Sequence, residues 1–124
     1  MIFDEGWGAL LMIRTLFCIA VTQEFFNAGD EERTEAMEAI PGAFADLAGR
    51  FGATVLGTFD DDRVMAGAST GWPWTSYILA DVPDLAAVEG ICGIVRETRL
   101  GDRRLWKYLR IEARVGRQLF FGNA

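Results

Sequence analysis

The sequence predicts an α+β domain in which helices cover one face of a four-stranded antiparallel sheet. Three observations predict it. Residues 105–117, LWKYLRIEARVGR, alternate apolar and polar side chains with a period of two, the pattern of a half-buried strand. Residues 31–51 place Met37, Ile40, Phe44, Leu47 and Phe51 three and four apart, the pattern of an amphipathic helix. The other β-rich and helical runs interleave with these two in the order β-α-β-β-α-β. A chain of 124 residues can bury a core without disulfides or metals, so one domain is expected.

Residues 1–11 read as an extension, 12–117 as the domain and 118–124 as a C-terminal tail. The first strand, MIRTLFCIAVT over 12–22, is β-rich and nearly continuous in apolar character, as a central strand is. Ile13, Thr15, Phe17, Ile19 and Val21 share one side of it, and Arg14, Leu16, Cys18 and Ala20 a more mixed one. Asp30 is the expected N-cap of the helix over 31–51, with Glu31 and Glu32 in the first turn, where the helix dipole favours negative charge. Pro41-Gly42 predicts a bend there or two abutting helices, and Gly52 a stop.

ATVLGTF, residues 53–59, is the second strand. Asp60-Asp61-Asp62 reads as a solvated turn, since it lacks the alternating ligands, the Gly and the distal Glu of a calcium loop. Val64 and Met65 are read as a resumed strand, 66–71 as loop, and WTSYILAD, 74–81, as the third strand. Val82-Pro83-Asp84 starts a second helix, whose buried face is expected at Leu85, Val88, Ile91, Cys92 and Val95. Gly90 and Gly93 inside it cost about 1 kcal/mol each relative to Ala, which predicts a close approach of helix to sheet.

In the last strand Leu105, Leu109, Ile111, Ala113 and Val115 fall on one side, and Trp106, Tyr108, Arg110, Glu112 and Arg114 on the other. The element order is that of the ferredoxin-like split βαβ arrangement. Helices cover one face of such a sheet, so the second face meets solvent or another subunit. A chain with 51% apolar residues favours the subunit, as a homodimer in which two sheets face each other in an α+β barrel.

Composition excludes more than it assigns. Without histidine the chain cannot form a Ser-His-Asp triad, a histidine metal site or a proximal haem ligand. No phosphate-binding Gly-rich motif is present, and neither a metal nor another cofactor is expected. A net charge of −6 argues against nucleic acid. Residues 96–117 nevertheless carry +5, which serves either ion pairs with the acidic helix or a partner subunit, or a small organic anion. The apolar stretch Ala9–Val21, broken by Arg14, is too short to span a bilayer and resembles no secretory signal, so a cytoplasmic protein is expected. Cys18 and Cys92, each in apolar surroundings, are read as reduced thiols.

The candidate site is the alternation from Trp106 to Arg114. Arginine grips a carboxylate through two parallel hydrogen bonds, and aromatic walls suit a planar ring. The substrate-binding candidates are therefore Arg110, Arg114, Trp106 and Tyr108, joined by Trp72 and Trp74 of GWPWTSY. Trp72 suits a pocket rim or an interface, whereas Trp74 and Tyr77 stay open between core and cavity. The proton-transfer candidates are Tyr108, Glu112 and Tyr77, with Asp81 beside them. The competing reading of the same residues is a charge ladder in which Glu112 bridges its neighbours.

VLGTFDDDR (55–63), GWPWTSYILADVPD (71–84) and LWKYLRIEARVGR (105–117) together resemble the IacB or darcynin-like family, small bacterial proteins encoded with the enzymes of indole-3-acetate breakdown. The resemblance spans residues 12–117. It implies a cytoplasmic protein of aromatic-acid catabolism that binds or converts an oxidised indole-acetate intermediate, as a cofactor-free oxygenase or related enzyme. The alternative is a non-catalytic accessory protein to a partner oxygenase. The resemblance carries no catalytic residues with it.

Overall fold

The protein is described by a computed structural model over residues 12–68 and 70–124, and the extension read at 1–11 lies outside these residues. In chain order the strands are β1 (Ile13–Val21), β2 (Thr54–Asp60), β3 (Ser76–Val82), β4 (Arg99–Leu100), β5 (Arg103–Arg104) and β6 (Leu109–Gly116). The helices are α1 (Gln23–Asn27), α2 (Asp30–Ala43), α3 (Leu47–Phe51), α4 (Leu85–Cys92) and α5 (Ile94–Glu97). The architecture is α+β: four strands in the order β2-β3-β1-β6, with every neighbouring pair antiparallel. This arrangement is compatible with a ferredoxin-like fold. The β4–β5 hairpin forms a separate two-stranded sheet, which the hydrophobic pattern did not announce.

β1 is central because its odd residues are the most apolar and face the helices. Phe17 pairs across to Ile78 on β3 and Ala113 on β6, and the three share one face. Phe17, Ala80, Val82, Val88, Ile91 and Leu47 close the core between that face and helices α3 and α4. A second cluster of Ala36, Val95, Leu100, Leu105, Tyr108 and Leu109 fills the space under α2.

Pro41 does interrupt the first helical region, but two residues before the break. α2 ends at Ala43, and α3 starts again at Leu47 with the Asp46 carboxylate accepting from the Gly49 N–H at 3.0 Å. The N-cap of α2 is Gly29, and Asp30 is its first residue. α2 turns Ala36, Ala39, Ile40 and Ala43 inward and leaves Met37 exposed, against the expectation of a buried Met37. Small residues let the helix lie close to the sheet, and a methionine at the inward phase would hold it off.

The second helical region starts where expected, with Asp84 capping the Ala87 N–H at 2.8 Å, but Leu85 is exposed and the helix breaks at Gly93 into α4 and α5. A Cβ on Gly90 would lie 2.7 Å from Cε1 of Phe51, so the close approach is to α3 and not to the sheet. Val64 and Met65 form no strand and are exposed. The largest departure is at the last strand. Leu105–Lys107 is a turn of 3-10 helix closed by the Tyr108 N–H donating to the Leu105 carbonyl, and the strand begins only at Leu109. Among the described residues no helix is long and apolar enough to cross a membrane.

Candidate functional site

Register divides the sheet into two faces. Arg110, Glu112 and Arg114 of β6 stand opposite Ala20, Cys18 and Leu16 of β1, while Tyr77, Leu79 and Asp81 of β3 stand opposite Cys18, Leu16 and Arg14. Phe59 of β2 joins them through its pairing with Tyr77. The helix-packed core clusters draw on the alternate residues of these strands, so this second face is open among the described residues.

Trp74 is the centre of the open face. It is 5% exposed and packs on Cys18 and Ala20, flanked by Leu16 and Tyr77. The small Cys18 and Ala20 side chains leave the hollow that the indole fills. The Arg110 guanidinium lies over it, 5.6 Å from the ring centre, within reach of a cation–π interaction. Trp72 is 55% exposed, and its indole N–H donates to the Tyr77 hydroxyl oxygen at 2.6 Å. The Tyr77 hydroxyl in turn has two acceptors, Asp61 Oδ2 at 3.2 Å and the Trp74 carbonyl at 3.1 Å. Beside it Leu16, Gly57, Phe59 and Leu79 line a shallow apolar depression of about 350 Å³.

The two predicted arginines have different partners. Four residues of strand separate the Arg110 and Arg114 backbones by roughly 13 Å, and the Arg110 guanidinium is engaged by Trp74. Arg114 is paired with Glu112. It also stands close enough to Cys18 to lower the thiol pKa, but burial is the larger influence and holds Cys18 above its ordinary value. Asp81, another proton-transfer candidate, is committed to Arg14 through bonds of 2.6 and 3.2 Å. Cys18 and Cys92 are both free thiols, and burial raises Cys92 as well, with Glu112 adding to the effect.

Tyr108 and Trp106 leave the predicted face altogether. The 3-10 turn rotates Tyr108 to the helix side, where it is 1% exposed. Its hydroxyl donates to Glu32 of α2 and accepts from Arg103 Nη1 at 2.5 Å. Arg103 Nη2 also binds Glu35 at 2.6 Å, and Lys107 reaches Glu32 at 3.4 Å. The Tyr108 hydrogen bond, ahead of Lys107 and Arg103, holds the Glu32 carboxyl below its ordinary range. This polar node fastens α2 to the start of β6; it is not a substrate surface.

Trp106, 56% exposed, lies instead on a groove of about 390 Å³ at the outer margin of β6. Cys92, Gly93, Val95 and Arg96 form the groove's other wall, and Leu109, Arg110 and Ile111 its floor. Sequence reasoning missed Asp61 and placed Arg96 only within the basic run 96–117. Asp61 was legible in principle: once 53–59 and 74–81 pair as a hairpin, the turn aspartates come beside Trp74 to Tyr77. For Arg96 the basic run gave the charge but not the place, which depends on the helix break at Gly93. Compared with protein-family models, curated proteins and solved structures, the chain matches none.

Proposed function

We propose that the chain binds a planar aromatic carboxylate on the open sheet face. The observation that carries this reading is the Arg110 guanidinium over Trp74, a cation beside an aromatic surface on a face that the helices leave free. The resemblance to the IacB or darcynin-like family supplies the class: indole-3-acetate and its oxidised products are flat rings bearing a carboxylate. With that family come a cytoplasmic location and the ferredoxin-like topology in its finer form. Leu16, Leu79 and the exposed Phe59 supply the apolar area for a homodimer through the same face, giving an α+β barrel with the ligand beside Trp74 at its margin.

Tyr77 favours a catalytic version of this reading over simple carriage. Its hydroxyl joins the Trp72 indole N–H to the Asp61 carboxylate at the rim of an apolar depression, the surroundings in which a phenol relays a proton. Calorimetry of the purified protein with indole-3-acetate and with its oxindole product tests the binding step. Saturable binding is expected, weakened at least tenfold in Arg110→Ala, the loss of one charge-assisted hydrogen bond of about 1.5–3 kcal/mol. Absence of binding to both compounds refutes the reading. Turnover of an oxidised intermediate that is lost in Tyr77→Phe supports the enzyme; binding without turnover leaves the accessory protein.

A further inference from the structure

We infer that the groove at the outer margin of β6 is a second carboxylate site, distinct from the open face and built for a single flat ring. Its volume, about 390 Å³, is that of a small-molecule pocket. Trp106 stands at it as an exposed aromatic wall, and Cys92, Val95, Leu109 and Ile111 make the surface beneath apolar. Burial keeps the Cys92 thiol protonated, so it acts there as an apolar surface.

The charged side chains at the groove are both donors. Arg96 and Arg110 flank the groove, and among the described residues that line it none is acidic. Among the described residues, the carboxylate nearest Arg96 is the neighbouring Glu97, through an exposed contact of 3.7 Å. Glu112, the other carboxylate in range, is paired with Arg114. The backbone adds to this set. The Thr22 N–H donates to the Tyr108 carbonyl at 2.9 Å, and the register continues from Val21 opposite Leu109 without a shift. In an antiparallel pair each residue sends both backbone groups to the same side, and successive residues alternate. The Tyr108 carbonyl and both backbone groups of Arg110 and Glu112 therefore bond to β1, while the N–H and C=O groups of Leu109 and Ile111 point outward along the edge of the sheet, the N–H groups offering donors there. Two guanidiniums, outward N–H groups and an indole wall are the complement of a carboxylate on a planar ring. Arg110 lies at the seam between the two sites, whereas Arg96 and Trp106 belong to the groove alone.

The experiment is a titration of the full ¹⁵N-labelled chain with benzoate, and with benzyl alcohol as the uncharged counterpart, followed by amide and indole N–H resonances. Benzoate is expected to shift Gly93, Ile111 and the Trp106 indole saturably. Benzyl alcohol is expected to shift them far less, and Arg96→Ala to weaken benzoate at least tenfold. Phe59→Ala, on β2 at the opposite edge of the sheet from β6, is expected to leave the groove titration unchanged. Arg96 is exposed, and its backbone carbonyl, which accepts from Arg104, survives substitution, so Arg96→Ala keeps its fold. Equal shifts with benzyl alcohol, or full benzoate binding in Arg96→Ala, overturn the site. Benzoate binding in the groove without indole-3-acetate binding at Trp74 refutes the open-face reading alone, and the reverse result refutes the groove alone.

Discussion

Tyr108 separates a structural role from a chemical one, and two substitutions resolve them. The ring is 1% exposed and belongs to the cluster of Leu105, Leu109, Val95 and Leu100, so Tyr108→Ala leaves a cavity under α2. Truncation of a buried aromatic ring costs about 3–5 kcal/mol, a large part of the roughly 5–15 kcal/mol that holds a domain of this size folded. The midpoint of thermal unfolding should fall on the order of 10–20 °C. Tyr108→Phe keeps the ring and its packing and removes only the hydroxyl shared by Glu32 and Arg103, which retain each other and Glu35 as partners. Its loss of stability should therefore be a small fraction of that in Tyr108→Ala. Urea unfolding followed by tryptophan fluorescence measures both, and calorimetry with indole-3-acetate should show the binding constant of Tyr108→Phe within twofold of the parent. A Tyr108→Phe variant that unfolds at the parental urea concentration but no longer binds would place the phenol against the ligand and refute its assignment to the α2–β6 node.

Three further substitutions or conditions test the same structure. The Glu32 carboxyl titrates below its ordinary range, chiefly through the Tyr108 hydrogen bond, so its contribution is complete above the unfolded-state pKa and is lost as pH falls through the lower folded value. Stability should accordingly drop below about pH 4.5, the ordinary glutamate value, and the drop should be shallower in Tyr108→Phe; parallel profiles would show that the bond is absent in solution. Gly90→Ala should destabilise by about 1 kcal/mol, because the new methyl meets Phe51 at 2.7 Å and overpacking of about 1–3 kcal/mol exceeds the roughly 1 kcal/mol gained in helix propensity. A more stable Gly90→Ala would mean that the Phe51 ring swings aside freely. Asp84→Ala should cost about 1 kcal/mol through the lost cap on Ala87, and unchanged denaturant midpoints would show that water replaces it.

The sheet was legible because side-chain alternation survives wherever a strand is continuous. β1 shows it from Ile13 to Val21, and β6 from Leu109 to Val115, so the membership of Arg110, Glu112 and Arg114 in one face follows from parity alone. Parity failed at Tyr108 because Leu105-Trp106-Lys107 has the same apolar-polar pattern as a strand or as a 3-10 turn. The choice between them is made by Glu32 and Arg103, which lie 76 and 5 residues from Tyr108 along the chain and offer its hydroxyl two partners on the helix side. In the first helical region Ile40, Phe44, Leu47 and Phe51 pack inward as their spacing predicts, and Met37 alone of that series is exposed. The inward face of α2 combines Ile40 with the small Ala36, Ala39 and Ala43, and the recurrence of these alanines is the signal that sets Met37 outside it.

GWPWTSY combines both lessons. Trp74 precedes β3, where parity has no authority, yet the Thr75 N–H donates to the Ile19 carbonyl at 3.0 Å and holds the segment beside β1. The side to which the indole turns is then decided by where there is room. The helix side of β1 is filled by Phe17 and Ile19, and only the mixed side, with Cys18 and Ala20 in succession, leaves a hollow of indole size. An open sheet face lined by small side chains beside a tryptophan-bearing loop is thus a sequence signal for an aromatic-centred surface, and it places Arg110, opposite Ala20, within reach of that indole.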